Sequence, residues 1–282
     1  MIRILIDSAS DLDLKEAEDL GVTLISMEIM FNDEIFLDGV NLSKEQFFTK
    51  LEETNVLPKT SQINEYRFTE AFKQLTANGD EVIAITMPAK LSGTYNNAVS
   101  AAKKFNGKVH VVDSLNVTIG ERVLLYRALY LVKMGLTVEE IVDDLNKKKK
   151  QIKLIAIVDT LEYLKKGGRV TSVAAFVGEM LNIKPAILVE NGDVQVIGKA
   201  LGTKMSFHLL NKLIDKYGPV DYDLPYAFAY SGVDNTMIKK YLKLYGFNNK
   251  NDDVDNQIYL IGSTIGTHAG PGAYAIAYFK KE

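Results

Sequence analysis

The sequence predicts an α/β protein: a Rossmann-like parallel sheet in its first half, followed by a smaller α+β unit. Three observations carry this. Up to about Lys150, short apolar β-branched runs alternate with helix-like stretches. Three candidate strands along the chain end in an acid followed by a hydroxyl: Asp7-Ser8, Asp113-Ser114 and Asp159-Thr160. After Lys150 the texture changes to hairpins mixed with helices. The expected division is 1–150 for the α/β domain and 151–282 for the α+β domain.

Taken in order, Ile2 to Ile6 reads as a buried strand, and a polar cluster opens a short helix that stops at Gly21. Val22 to Phe36 reads as a hairpin turning at Asn32-Asp33. Ser43 and Gln46 form a capping-box pair ahead of a helix. Pro58 breaks the chain before Thr60-Ser61-Gln62, and a helix follows from Glu65 to Ala77. Val82 to Thr86 is the next strand, and Asn96 to Lys104 the helix after it. Val109 to Val112 is a further strand, followed by two helices parted at Gly135, the second capped by Thr137 with Glu140. Beyond Lys150, strands are expected at Leu154–Val158, Pro185–Glu190, Val194–Lys199, Tyr226–Tyr230, Ile258–Ile261 and Ala273–Phe279. Helices are expected at Leu161–Lys166, Ser172–Leu181 and Lys204–Tyr217, and Gly266 to Gly272 reads as a Gly-rich loop holding His268.

Composition narrows the function. A net charge of −3 gives no reason to expect nucleic acid. The absence of cysteine excludes disulfides, thiol catalysis and cysteine metal sites. No apolar run reaches the roughly 18 residues of a membrane helix, and the first residues do not read as a signal peptide. A soluble, cytoplasmic protein is the expectation.

The stretch with the most chemistry is Leu91-Ser92-Gly93-Thr94-Tyr95. It lies where a buried strand hands over to a helix N-terminus, which offers free N–H groups and the positive end of a dipole. An anion is welcome there. Gly93 allows close approach, while Ser92 and Thr94 add hydroxyl donors. A small anionic head group such as a carboxylate fits; a plain N-cap is the competing explanation. The strand-end acids suggest a polar rim more than a metal site, since hard cations usually gather more carboxylates. A Ser92–His268–Asp113 triad can be written, but Ser92 is not in a G-x-S-x-G elbow. Arg169, after Gly167-Gly168, is a candidate exposed cation for a phosphate or a partner, or a helix-terminal side chain satisfying carbonyls.

Together these stretches resemble the DegV family, which includes the fatty-acid-binding subunits of bacterial fatty acid kinase. The landmarks are Asp7 to Leu12, Thr60-Ser61-Gln62, Leu91 to Tyr95, Asp159 to Arg169, Asn182 to Pro185 and His268-Ala269-Gly270-Pro271-Gly272. The resemblance implies one long-chain fatty acid held between two domains. It implies that Thr60 and Ser92 hydrogen-bond the carboxylate, with His268, Ser61, Gly93 and Thr94 close to it. It also implies that Arg169 faces a kinase subunit that supplies ATP and metal; this chain carries no Walker loop, cofactor motif or metal cluster of its own. Many relatives carry an arginine near Leu201, so the docking surface differs here. At roughly 0.8 kcal/mol per buried methylene, a tail of about fourteen gives on the order of 11 kcal/mol before losses. The tail then sets affinity and the head sets orientation. The rival functions are a Ser92/His268 hydrolase and a regulatory module whose ligand is a signal.

Overall fold

The computed structural model describes residues 1–54, 56–170, 182–247 and 257–281. The expected helix at Ser172–Leu181 lies outside the described residues.

The chain opens with β1 (Ile2–Asp7), α1 (Leu14–Asp19), β2 (Thr23–Ile25), β3 (Glu28–Phe31), β4 (Glu34–Leu37), α2 (Lys44–Glu53) and β5 (Lys59–Ser61). It continues through α3 (Glu65–Thr76), β6 (Glu81–Thr86), α4 (Thr94–Ala102), β7 (Val109–Asp113), α5 (Ile119–Lys133) and α6 (Val138–Lys148). Strands β2-β1-β6-β7 form a parallel sheet. Strand β1 is buried from Ile4 onward and β6 from Val82, the continuous apolar character of a sheet covered on both faces. The expected capping boxes are present, Ser43 with Gln46 on α2 and Thr137 with Glu140 on α6.

The expected hairpin from Val22 to Phe36 is corrected. Thr23–Ile25 joins the parallel sheet beside β1, and only β3 and β4 pair across Asn32-Asp33. Asn32 takes a positive φ of 50° there, which asparagine tolerates. The turn residues were legible; the break at Ser26-Met27 was not, because both strands are apolar. Strand β5 completes a small β4-β3-β5 sheet, with Thr60 opposite Ile29.

The second half holds β8 (Ile152–Ile157), α7 (Glu162–Gly167), β9 (Ile183–Glu190), β10 (Asp193–Leu201), α8 (Gly202–Tyr217) and β11 (Tyr226–Tyr230). It ends with α9 (Thr236–Leu244), β12 (Ile258–Leu260), α10 (Ser263–Ala269) and β13 (Tyr274–Phe279). These strands form a mixed sheet ordered β10-β9-β8-β13-β11-β12. Its two faces differ sharply. Tyr226, Phe228, Tyr274, Ile276 and Tyr278 pack on one side with α8 and α9. The alternate positions Ala227, Ala229, Ala273, Ala275 and Ala277 face the other side, toward α5 and the first sheet. Period-two alternation thus puts bulk on one face and leaves space at the other.

Helix α5 packs against both sheets. Its Arg122 is fully buried and donates to the carbonyls of Ser10 and Asp11 and to Glu16. The guanidinium also stacks 3.9 Å from the centre of the Tyr259 ring. One side chain therefore ties the turn after β1 to β12 of the other sheet.

Candidate functional site

Two elements bring the site together from distant stretches. After β5, the Ile63 amide donates to Thr94 Oγ1 at 3.2 Å, and Asn97 Nδ2 donates to the Ile63 carbonyl at 2.8 Å. These bonds clamp the Thr60-Ser61-Gln62 segment to the N-terminus of α4. Thr94 Oγ1 also lies 2.9 Å from Ser92 Oγ, and the Thr94 amide donates to Ser92 Oγ at 3.2 Å. Thr94 is fully buried and fixes Ser92 rather than facing the cavity described below. The Gln62 side chain lies over Gly93: a Cβ there would stand 1.9 Å from Gln62 Oε1 and displace that amide.

The strand-end acids hold the same loop. Asp7 accepts from the amides of Met87 (2.8 Å) and Ala9 (2.9 Å); Asp113 accepts from Ala89 (3.2 Å) and Leu115 (2.8 Å). Burial pushes the Asp7 carboxyl up to about 7. Asp159, at the end of β8, instead pairs with Lys184. No group of three or more histidine or carboxylate side chains is placed to hold a metal among the described residues.

His268 corrects another expectation. It sits in the last turn of a helix, α10, not in an irregular loop. The glycines misled, because Gly266 lies inside the helix and only Gly270 onward leaves it. The N-terminus of α10 is held by two buried acids from the first half. Asp38 accepts from the amides of Ser263 and Thr264 at 3.1 Å each and from Thr264 Oγ1 at 2.6 Å. Asp11 accepts from the Gly262 amide at 2.8 Å. At its other end, His268 Nε2 meets Thr60 Oγ1 at 3.1 Å. Burial, with a smaller contribution from the Arg169 charge, lowers His268 to about 4. It is therefore neutral at pH 7. Its Nδ1 is buried without a partner and faces Gly167, where a Cβ would stand 2.2 Å away.

A cavity of about 390 Å³ opens beside these groups, within the usual range of small-molecule pockets. Thr60, Ser61, Gln62, Ser92, Gly93 and His268 line its polar end, and Arg169 stands at the same end. Arg169 is exposed and donates to the carbonyls of Leu91 and Gly167. The remaining wall is largely apolar, including Leu154, Ala156, Val189, Ile261 and Ala275. A second cavity of about 340 Å³ shares Thr60, Arg169 and His268 with it.

The triad does not form. Ser92 bonds to Thr94, Asp113 bonds to two backbone amides, and no acid orients His268 Nδ1. Sequence reasoning missed Asp38 as the support of α10 and the alanines as the floor of the cavity. Both left a signal: Asp38 precedes a glycine outside any helix, and alanine alternates with bulky residues in Tyr226–Tyr230 and Ala273–Tyr278.

Two packed sheets around a largely apolar cavity with a polar, hydroxyl-bearing end define the architecture. The chain belongs to the DegV family, whose model, described as that of an uncharacterised protein family, matches residues 1–281. A DegV domain-containing protein of Deinococcus radiodurans is 33% identical over 279 residues, spanning 98% of this chain and 97% of that one. Among solved structures, a DegV family protein from Thermus thermophilus, described by its fatty acid binding, superposes with a TM-score of 0.87. The two are 26% identical, with 99% of each chain covered. A DegV lipid-binding protein from Thermotoga maritima gives a TM-score of 0.84 at 27% identity, over 100% of this chain and 99% of that one.

Proposed function

We propose that this protein binds one long-chain fatty acid, with its carboxylate at Thr60 and Ser92 and its tail in the cavity. The observation that carries this reading is a largely apolar cavity that ends at a cluster of hydrogen-bond donors, uncharged except for Arg169 at the same end. The fatty acid binding of the Thermus thermophilus neighbour supports it.

The chemistry of the polar end follows from neutral His268. With its proton on Nε2, His268 donates to Thr60 Oγ1, and the Thr60 hydroxyl hydrogen is left to point at a carboxylate oxygen. Thr94 Oγ1 accepts from the Ile63 amide; with the Thr94 hydroxyl proton given to Ser92 Oγ, the Ser92 proton is left for the other oxygen. Ser61 and the Gly93 backbone stand beside them, and Thr94 positions Ser92. Residues 1–150 supply most of the head-group donors, and residues 151–282 cover most of the tail.

The finer reading is presentation in the cytoplasm to a separate kinase subunit, with Arg169 facing that partner. A carboxylate is itself a nucleophile, so acyl-phosphate formation needs no general base here; it needs ATP and metal brought close. On this reading the purified chain with ATP and magnesium forms no acyl phosphate. Its formation would contradict the division of labour.

The head-group assignment is tested by Thr60→Ala combined with Ser92→Ala. Loss of two hydrogen bonds to a charged group costs about 3–6 kcal/mol, or at least about 100-fold in Kd. Titration with a long-chain acid reads this loss, and the matching alcohol serves as a control that is less affected. An unchanged acid Kd would remove both residues from the site.

A further inference from the structure

Resting on the fatty-acid reading, we propose that two adjacent rungs of the mixed sheet act as a depth gauge selecting the length of the acyl chain. Side chains directly opposite each other on neighbouring strands share a face. Ala156 lies opposite both Ile187 and Ala275, so these three form one rung. Leu154 lies opposite Val189, which in turn lies opposite Val194, and these form the next rung. All six line the cavity.

The order of the rungs follows from the chain. Val158, beyond the end of β8, leads into α7, whose Gly167 touches His268. Ala273 stands one Gly270-Pro271-Gly272 turn after α10 and also lines the cavity. The polar end is therefore on the Val158 and Ala273 side, and Leu154 is farther from it than Ala156. The Ala156–Ala275 pair leaves a gap in the floor at middle depth. Leu154, Val189 and Val194, each nearly fully buried, close it one rung later.

The alanines are particular to this face. On the opposite face of the same strands stand Ile155, Ile157, Tyr274 and Ile276, which fill their layer completely. Ala277 and Ala227, which do not line the cavity, lie in the layer that α5 packs on. Ala156 and Ala275 line open space instead.

Rungs two residues apart are separated by about 6.7 Å. An all-trans chain of ~1.5 Å bonds at ~111° advances about 1.25 Å per carbon, so one rung corresponds to about five carbons. Filling the upper rung shortens the preferred acid, and opening the lower one lengthens it.

The test offers the full chain an equimolar mixture of saturated acids of graded length and quantifies the retained acids by mass spectrometry. Ala275→Leu is expected to move the preferred length down by up to about five carbons. Leu154→Ala is expected to move it up. If Ala275→Leu shows no cooperative melting transition, Leu154→Ala decides alone: a shift to longer acids supports the gauge. A length profile identical to wild type in the folded variants overturns the gauge while leaving fatty-acid binding intact. A wild-type chain that retains no acid overturns both.

Discussion

His268 shows how burial tunes a side chain, with one neighbouring cation adding to the effect. Its folded value of about 4 lies below the ordinary 6.5, because burial disfavours the imidazolium and Arg169 adds repulsion. The sign of the resulting pH dependence is fixed. Above pH 6.5 the ring is neutral folded or unfolded, so titration costs nothing. As pH falls from 6.5 to 4 the unfolded chain binds a proton that the folded chain refuses, and stability is lost; below 4 the loss is complete. Asp7, raised from 3.8 to about 7 by burial, works in the opposite sense throughout this range, so the whole-protein curve mixes the two. The difference between wild type and His268→Gln isolates the histidine. That difference is expected to rise by about 2–3 kcal/mol between pH 4 and 6.5, read from urea midpoints at each pH. A flat difference would mean that His268 titrates normally.

Helix α10 is too short to stand alone and is held at both ends by the other half of the chain. Asp38 accepts three of its N-terminal hydrogen bonds, and Thr60 meets His268 at its C-terminus. Asp38→Ala strands two buried amides at about 1–3 kcal/mol each. A total loss of about 2–6 kcal/mol is expected in denaturant unfolding, with weaker acid binding because the helix that carries His268 loses its anchor. Stability and acid affinity both unchanged would show that α10 is positioned by packing alone. The parallel strands and capping boxes were legible because their signals are local: β-branched runs, and Ser43 or Thr137 three residues before Gln46 or Glu140. The helical state of His268 was not, because Gly266 and Gly270 read as loop residues while the support comes from Asp38, 225 residues away from Ser263. Likewise nothing in the spacing brings Ile63 to Thr94; their bond exists only once β5 crosses to α4.

The molecule as a whole is two sheets facing each other across α5, with the cavity left where alanines meet the apolar walls. The separation into a parallel and a mixed sheet was visible as the change of texture after Lys150. The cavity was hidden because its lining is chemically ordinary core: only the pairing of Ala275 with Ala156 turns two small residues into a gap. Arg122 adds a constraint that no motif announces, a buried guanidinium shared by β1's turn and Tyr259 of the other sheet. Native mass spectrometry of the full chain, stripped of lipid and then given one equivalent of a long-chain acid, tests the central claim most directly. The account predicts a single added mass equal to one acid per chain, absent when a short-chain acid is offered instead. A chain that stays at its lipid-free mass, or that takes up the short and long acids alike, would contradict it.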